Sequence, residues 1–443
     1  MKIFFQSLGC PKNQVDSELM LHSLIGGGHL MVDEPDGADL AIVNTCCFIE
    51  EATQETIDTI TELLELKARG MLGSVVVAGC FVGRYREELM NLLPDVDLFT
   101  GPGTGDKLAS LIEGLKTNSS PRYFFPEKPI IEGPRVLANS AAMAYLRISE
   151  GCSRHCTYCV IPSIRGSLMS REPESIVSEA RSLAGQGVKE LVIIAEDSSA
   201  YGSDLPQNPK LSDLLAQLDK IEGIEWIRLL YLYPEGVTPE LISVIKKSSR
   251  ILPYLDIPFQ HASPKILRLM GRNSKPGDNL ELITRLRTEL PELIIRSSFI
   301  TGFPGETKKD FLTLRQFIEN GEIDRVGVFE YSREDGTPAA DFPCQTRKST
   351  REARRCELME MAAEMSLAKN KKLIGKKINA IVEGALGHGL MSGRIWSQAP
   401  TIDGNIEING ASPDDIDSII CVEITEADYY DLKGRKITSQ PMK

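Results

Sequence analysis

Short apolar runs alternate with amphipathic stretches over most of this 443-residue chain. Strand, helix, strand at such a spacing predicts parallel sheets with crossover helices. The first series predicts strands at residues 2–6, 38–43, 74–78 and 97–99 and helices at residues 15–24, 51–66, 84–92 and 107–115. A polar, proline-containing stretch at residues 117–134 then interrupts the pattern and is typical of a linker.

A second and longer series follows this stretch. Its six candidate strands, with helical patterns between them, are residues 144–148, 191–195, 226–230, 254–257, 293–299 and 326–331. Six β/α units are too few for a closed eight-stranded barrel, so they predict an open, partial (β/α)6 barrel. In such a barrel the loops that follow the strands build the functional site.

The end of the chain changes character after a charged helical stretch at residues 351–371. Short β-like runs at residues 378–382, 389–395, 404–408 and 419–425 are separated by Gly, Pro and Asp. They predict a small antiparallel β-barrel of the OB-like kind. We therefore expect an α/β protein of three domains. Their expected ranges are residues 1–127, 138–370 and 373–441.

The charge balance bears on the class of partner. The chain has 50 Lys and Arg against 62 Asp and Glu, a net charge of −12, which disfavours a general nucleic-acid binder. Residues 381–431 hold one base and ten acids, a net −9. This predicts that the β-barrel repels phosphate and attracts a basic protein, the alternative being an ordinary solvated acidic face.

The compartment follows from what the sequence lacks. No apolar run approaches the roughly 18 residues of a membrane span, and the apolar stretch before Cys10 is too short for a signal peptide. We expect a cytoplasmic protein with no membrane partner. Its ten cysteines are then better candidates for metal or cluster binding than for disulfides.

Cys152, Cys156 and Cys159 form a C-x-x-x-C-x-x-C loop directly after the first strand of the second series. Three thiolates on a short loop can hold three irons of a 4Fe-4S cluster and leave the fourth iron open for a small ligand. A structural zinc site would need a fourth ligand, and His155 lies awkwardly between two of the cysteines. The spacing therefore favours a cluster over zinc.

Cys10, Cys46 and Cys80 each follow a predicted strand of the first series. The carboxyl ends of parallel strands meet at one edge of a sheet, so these thiols could form one site. The alternative is that they fill the core, since free cysteine is among the most buried residues. Cys47 should point away from its neighbour, and Cys344, Cys356 and Cys421 show no partner spacing.

These motifs resemble the radical S-adenosylmethionine enzymes, and more narrowly the methylthiotransferase family, over nearly the whole chain. Within that family, residues 7–13 with 15–18, residues 149–152 and residues 399–404 resemble the branch that modifies a ribosomal protein. The tRNA-modifying branch more usually carries a Gly-Cys-Gln-Met-Asn-like first motif. The resemblance implies an N-terminal cluster domain, a radical S-adenosylmethionine barrel and a C-terminal TRAM domain.

The resemblance also implies the chemistry. Cys152, Cys156 and Cys159 would hold the 4Fe-4S cluster that reduces S-adenosylmethionine to a 5′-deoxyadenosyl radical. A second 4Fe-4S cluster, on Cys10, Cys46 and Cys80, would carry the methylated sulfur. The implied acceptor is the β-carbon of an aspartate in small-subunit ribosomal protein S twelve, and the implied reductant is a low-potential donor such as flavodoxin or ferredoxin.

Two other functions stay open. One is the same chemistry on a tRNA adenosine, although the acidic balance makes RNA binding the less favoured outcome. The other is a non-catalytic iron-sulfur protein that transfers electrons or binds nucleic acid.

Loops after the barrel strands supply candidates for binding S-adenosylmethionine, which are Tyr158, Glu196, Ser198, Gln260 and Arg296. Tyr158 could line an adenine pocket or simply cover the cluster. Glu196 departs from the Gln that usually begins this family loop. Arg296 could pair with a cofactor carboxylate or with a structural one.

Overall fold

The computed structural model describes residues 1–117, 119–138, 142–272 and 277–437, so the expected end of the third domain at residue 441 lies outside the described residues. The N-terminal part forms one parallel six-stranded sheet in the order β2-β1-β3-β4-β5-β6. Its elements are β1 (Lys2–Ser7), α1 (Pro11–Gly26), β2 (Leu30–Val32), β3 (Leu40–Thr45), α2 (Glu50–Ala68), β4 (Ser74–Gly79), α3 (Cys80–Tyr85), α4 (Leu89–Leu92), β5 (Leu98–Thr100), α5 (Lys107–Lys116) and β6 (Tyr123–Phe124).

Two sequence predictions in this part are wrong. The segment expected to be a linker contains β6, and Arg122 ties it to the sheet by donating to the carbonyls of Leu93 and Val96 at 3.0 and 3.1 Å. The helix expected at residues 84–92 is broken into α3, a 3₁₀ turn and α4. The break falls at Arg86, whose φ of 54° does not fit a right-handed helix.

The central part forms the expected open barrel of six parallel strands, in the order β14-β13-β12-β11-β10-β7. Its elements are β7 (Met143–Arg147), β8 (Ser149–Glu150), α6 (Ile161–Arg165), β9 (Met169–Ser170), α7 (Pro173–Gly185), β10 (Glu190–Ile194), α8 (Leu211–Leu218), β11 (Trp226–Leu229), α9 (Pro239–Lys247), β12 (Ile251–Asp256), α10 (Pro264–Leu269), α11 (Asp278–Glu289), β13 (Ile294–Thr301), α12 (Lys308–Asn320), β14 (Arg325–Glu330) and α13 (Lys348–Lys371). The short strands β8 and β9 pair with each other outside this sheet.

The two faces of the six-stranded sheet pack against different partners. Alternate strand residues such as Leu146 and Ile193 join the core formed with the surrounding helices. The opposite, inner face carries residues such as Tyr145 and Val192, which share a buried cluster with Val15 of α1 and Ala399 from the C-terminal part. The neighbouring parts of the chain therefore cover part of the inner face of the open barrel.

The C-terminal part is a closed five-stranded barrel in the order β15-β16-β17-β19-β18. Its strands are β15 (Lys377–Gly387), β16 (Leu390–Ile395), β17 (Ile406–Asn409), β18 (Ile419–Ala427) and β19 (Leu432–Lys436). The barrel was expected to be antiparallel, but β17 and β19 pair in parallel. β19 escaped prediction because its sequence, Leu-Lys-Gly-Arg-Lys, has a single large apolar side chain. Across the described residues, no helix combines the length and apolar character needed to cross a membrane.

Candidate functional site

The first cysteine triad lies at the carboxyl edge of the N-terminal sheet. Cys10 precedes α1, Cys46 follows β3, and Cys80 is the first residue of α3. Gly9 has a φ of 93°, and a Cβ built on it would lie 2.6 Å from the Cβ of Cys46. Glycine is required there because any side chain would push the turns that carry Cys10 and Cys46 apart.

Cys46 and Cys80 are buried, Cys10 is half-buried, and a positive charge lies beside Cys80. Burial raises the pKa of Cys46, and the nearby Cys10 raises it further. Burial likewise holds the pKa of Cys80 above its usual range, opposed by Arg165, whose Nη2 donates to the Cys80 Sγ at 3.2 Å. The guanidinium therefore favours the thiolate form, which is the form that binds metal.

The second triad lies in the loop between β8 and α6. The backbone N–H of Arg154 donates to the Sγ of Cys152 at 3.4 Å, and the Sγ of Cys156 lies 2.6 Å from the hydroxyl of Tyr233. Burial, followed by the neighbouring Cys156 and Cys152, raises the pKa of Cys159 to about 12. The three thiols are thus near neighbours and are only partly covered.

Cations surround this second triad as well. The guanidiniums of Arg154 and Arg272 each lie 4.1 Å from the centroid of the Tyr233 ring, and Arg154 also pairs with Asp197 at 2.8 Å. Three thiolates that bind iron carry negative charge, and these groups would offset it.

The donor set of both triads fits iron-sulfur clusters. Among the described residues, no three His, Cys, Asp or Glu side chains are arranged around a point where one metal ion could bind. A cluster differs from a single zinc ion because each thiolate binds a different iron, so the thiols need not converge on one point. Thiol-only ligands, partial burial and nearby cations are the features such a cluster requires.

A buried ion-pair network joins the two triads. Asp16 of α1 pairs with Arg147 of β7 at 2.6 Å and with Arg165 of α6 at 3.0 Å. Glu150 of β8 pairs with Arg165 at 2.6 Å and with Arg147 at 3.1 Å. Burial opposes ionisation of Asp16, yet both arginines hold its pKa below its usual value. The network fixes the N-terminal domain onto the edge of the barrel that carries Cys152.

Glu196, one of the predicted cofactor-binding residues, lies beside this network. Neither of its carboxylate oxygens receives a hydrogen bond from the described residues. The nearest guanidinium atom is Nε of Arg165, at 3.9 Å. Burial, and then the adjacent Glu150, raises the pKa of Glu196 to about 7.

The other predicted cofactor-binding residues have defined surroundings. The hydroxyl of Ser198 donates to the carbonyl of Leu230 at 2.6 Å. Nη1 of Arg296 donates to Asp256 at 2.9 Å. This contact fits the second alternative for Arg296, a structural ion pair with a carboxylate of the chain. Contact of either residue with S-adenosylmethionine stays a prediction.

Tyr158 and Gln260 lie against the strand-end loops of the barrel. The Tyr158 ring packs edge-on against Phe303, with centroids 6.4 Å apart. Gln260 has a φ of 65°, and its backbone forms an isolated parallel bridge with Phe299. Their roles in binding S-adenosylmethionine also stay predictions.

Sequence reasoning missed several residues at the site. Lys12 is buried, and its ammonium lies 3.6 Å above the centroid of the Tyr231 ring. Burial alone would lower the pKa of Lys12, but Tyr231, Cys10 and Glu196 outweigh it and raise that pKa. The position of Lys12, two residues after Cys10, is a sequence signal that could have identified it as a site residue. Arg165 and Tyr233 come from distant segments and have no comparable sequence pattern.

Three family profiles match successive segments of the chain. Residues 2–101 match "Uncharacterized protein family UPF0004", residues 146–318 match "Radical SAM superfamily" and residues 374–437 match "TRAM domain". The chain is 44% identical to a protein of Geobacter sulfurreducens named "Ribosomal protein uS12 methylthiotransferase RimO", over 99% of both chains. Proteins of the same name from Acetivibrio thermocellus and Clostridioides difficile are 43% and 41% identical, each over 98% of both chains.

Solved structures share the fold at low sequence identity. The radical S-adenosylmethionine methyltransferase TsrM from Kitasatospora setae superposes with a TM-score of 0.55 and 14% identity, covering 87% of this chain and 79% of TsrM. The cobalamin-dependent S-adenosylmethionine radical enzyme OxsB has a TM-score of 0.52 and 12% identity, covering 82% of this chain and 61% of OxsB. Both relate the architecture of this chain to that of radical S-adenosylmethionine enzymes.

Proposed function

Because this chain belongs to the ribosomal protein uS12 methylthiotransferase RimO family of radical S-adenosylmethionine enzymes, we propose that it attaches a methylthio group to ribosomal protein uS12. The proposed acceptor is the β-carbon of an aspartate. We propose that Cys152, Cys156 and Cys159 hold one 4Fe-4S cluster and that Cys10, Cys46 and Cys80 hold a second.

The observation that carries this proposal is the pairing of two cysteine triads across one domain junction. Each triad lies at the carboxyl edge of a parallel sheet, and the Asp16–Arg165–Glu150 network holds the two edges together. A transfer that combines radical formation with sulfur delivery requires two such sites at a fixed separation. The full-length similarity to proteins named for this activity supports the same assignment.

When bound, the two clusters would supply the electron that cleaves S-adenosylmethionine and the place where the sulfur is held. The chain's own side chains stabilise the thiolates and pack the domains together. Arg165 stabilises the thiolate of Cys80. Arg154 and Arg272 place positive charge beside Cys156. Val15 and Leu19 of α1 pack against apolar residues on the inner face of the barrel.

The test uses enzyme reconstituted anaerobically and incubated with S-adenosylmethionine, a low-potential reductant and uS12. We expect mass spectrometry to find one methylthio group on one aspartate of uS12. Cys46→Ala should abolish transfer while S-adenosylmethionine cleavage continues. Cys47→Ala is the matched control and should transfer normally. Cofactor cleavage without modification of uS12 would contradict the substrate assignment.

Two alternatives are tested in the same experiment. Methylthiolation of a tRNA adenosine predicts a modified nucleoside when total tRNA replaces uS12. A non-catalytic iron-sulfur protein predicts that the reduced enzyme leaves S-adenosylmethionine intact. Flavodoxin and ferredoxin are the proposed physiological reductants, and each should support turnover in place of a chemical reductant. A ribosomal acceptor would place the activity in the cytoplasm.

A further inference from the structure

Lys12 is a buried cation located where the two domains meet. It is the second residue of α1, is 9% exposed, and lies two residues after Cys10. Its ammonium is 3.6 Å above the ring of Tyr231, which follows β11 at the carboxyl edge of the barrel. The side chain therefore spans from the N-terminal triad to the mouth of the barrel.

Three other cations at this junction are paired. Arg147 and Arg165 share Asp16 and Glu150, and Arg296 pairs with Asp256. Lys12 forms no close ion pair with any residue in the described part of the chain: its ammonium contacts the Tyr231 ring, while Cys10 and Glu196 act on it without a direct contact. Burying a charge with no counter-charge in direct contact costs free energy, and one aromatic face offsets part of that cost.

An anion from outside the chain would complete this environment. Tyr231 of the barrel contacts the ammonium, and Cys10 of the N-terminal triad lies near enough to act on it electrostatically. The acceptor side chain must enter between these two sides if radical formation and sulfur delivery act on the same carbon. In the proposed acceptor, the β-carbon of an aspartate, a carboxylate is bonded directly to the carbon that is modified.

We propose that Lys12 binds the carboxylate of the acceptor aspartate and so holds its β-carbon at the junction. This inference rests on the proposed function and adds a residue that selects an acidic acceptor. A charge-assisted contact from a single lysine fixes the distance of the carboxylate, and the Tyr231 ring limits the approach of the ammonium from the other side.

A carboxylate at this place could also come from the methionine part of S-adenosylmethionine. The test therefore compares two forms of the acceptor. Equilibrium binding of labelled uS12 to the anaerobic holoenzyme is measured with the modified aspartate intact and with it replaced by asparagine. Binding of S-adenosylmethionine and iron content are measured on the same samples.

We expect Lys12→Met to weaken binding of the aspartate form about tenfold to hundredfold, and to leave binding of the asparagine form unchanged. Lys12→Arg should retain most of the affinity. Lys107→Met is the matched control, because Lys107 also begins a helix of this domain near an aromatic ring, Phe124, but is exposed. Iron content and S-adenosylmethionine binding should equal those of the wild type in all three variants.

Three results would overturn the inference. Lys12→Met could bind both forms of uS12 as the wild type does. It could lose affinity for S-adenosylmethionine, which would assign the lysine to the cofactor carboxylate. It could lose iron, which would make the lysine a counter-charge for the cluster. If wild-type holoenzyme neither binds nor modifies uS12, the proposed function itself fails, and that result differs from all three.

Discussion

At the scale of single residues, the site is dominated by ionisable groups that folding removes from water. Glu196 buries both carboxylate oxygens with no hydrogen-bond donor among the described residues, and its neighbour Glu150 is also an acid. A carboxyl in such surroundings is most stable when neutral. The sequence marked this position as a departure from the usual Gln, and the structure gives the consequence, since a protonated Glu and a Gln have nearly the same shape.

Glu196→Gln should therefore stabilise the protein in a pH-dependent way. Folding raises the pKa of this carboxyl from 4.5 to about 7, so the native state binds the proton more tightly than the unfolded chain does. The stability that the neutral form contributes is complete below the unfolded pKa and is lost as the pH rises through the folded one. We expect the variant to match the wild type near about pH 5 and to exceed it by up to about 3 kcal/mol near about pH 8.

Chemical denaturation of both proteins at the two pH values measures this difference. The same substitution at the exposed Glu222 is the control and should leave the free energy of unfolding unchanged at both pH values. A Glu196→Gln variant that is less stable than the wild type at the higher pH would show that the ionised carboxylate is needed by Lys12 or Arg165.

At the scale of elements, strand ends decide where the cysteines lie. Hydrophobic alternation predicted the succession of strands and helices along the chain, and from it the sequence allowed Cys10, Cys46 and Cys80 to meet at one edge of the sheet, with burial in the core as the alternative. Strands β2 and β6 were missed because two or three residues carry no period that can be recognised. The contact of Arg165 with Cys80 joins residues 85 positions apart and depends on how two domains pack, which a periodic pattern does not encode.

Gly9→Ala should disrupt the N-terminal triad selectively. The added Cβ would lie 2.6 Å from the Cβ of Cys46, and the φ of 93° strains any residue other than glycine. Gly28→Ala is the matched control, because Gly28 has a φ of 78° with nothing within 4 Å of the added atom. Iron analysis should find about eight irons per chain in the control and about four in Gly9→Ala. Equal iron in both would contradict the role assigned to this turn.

Arg165→Leu should destabilise the junction between α1 and the barrel. The change leaves Asp16 and Glu150 buried with Arg147 as their shared cation, and removing one partner of a buried ion network costs about 3–5 kcal/mol. Urea denaturation measures the loss. Arg181→Leu on the exposed face of α7 should change stability by less than about 0.5 kcal/mol. An equally small change in stability for Arg165→Leu would mean that this ion-pair network does not hold the two domains together.

Across the whole molecule, ion pairs reduce the acidic character that the sequence predicted for the C-terminal barrel. The window of residues 381–431 is strongly acidic, but it ends just before β19, whose bases pair with acids inside it. Lys433, Arg435 and Lys436 contact Glu426, Glu423 and Asp415 at 3.0, 2.9 and 2.7 Å. The acidic face is therefore smaller than the sequence window suggested. A charge count along the sequence does not include ion pairs between strands. The acidic count of residues 381–431 is therefore weak support for a basic protein partner.

The C-terminal barrel is instead coupled to the rest of the molecule through buried ion pairs, and Arg394→Met should release it. Arg394 and Glu190 of β10 pair at 2.6 Å and are at most 1% exposed, and Glu190 also pairs with Arg228 of β11. Removing the guanidinium leaves Glu383 without its partner and should cost about 3–5 kcal/mol. Limited proteolysis should then cleave faster between α13 and β15.

The control variant Arg435→Met removes an exposed ion pair of the same barrel and should cost no more than about 1 kcal/mol. Equal cleavage rates for the two variants would show that apolar contacts, such as those of Ile381 and Ala399, hold the barrel in place without this ion pair.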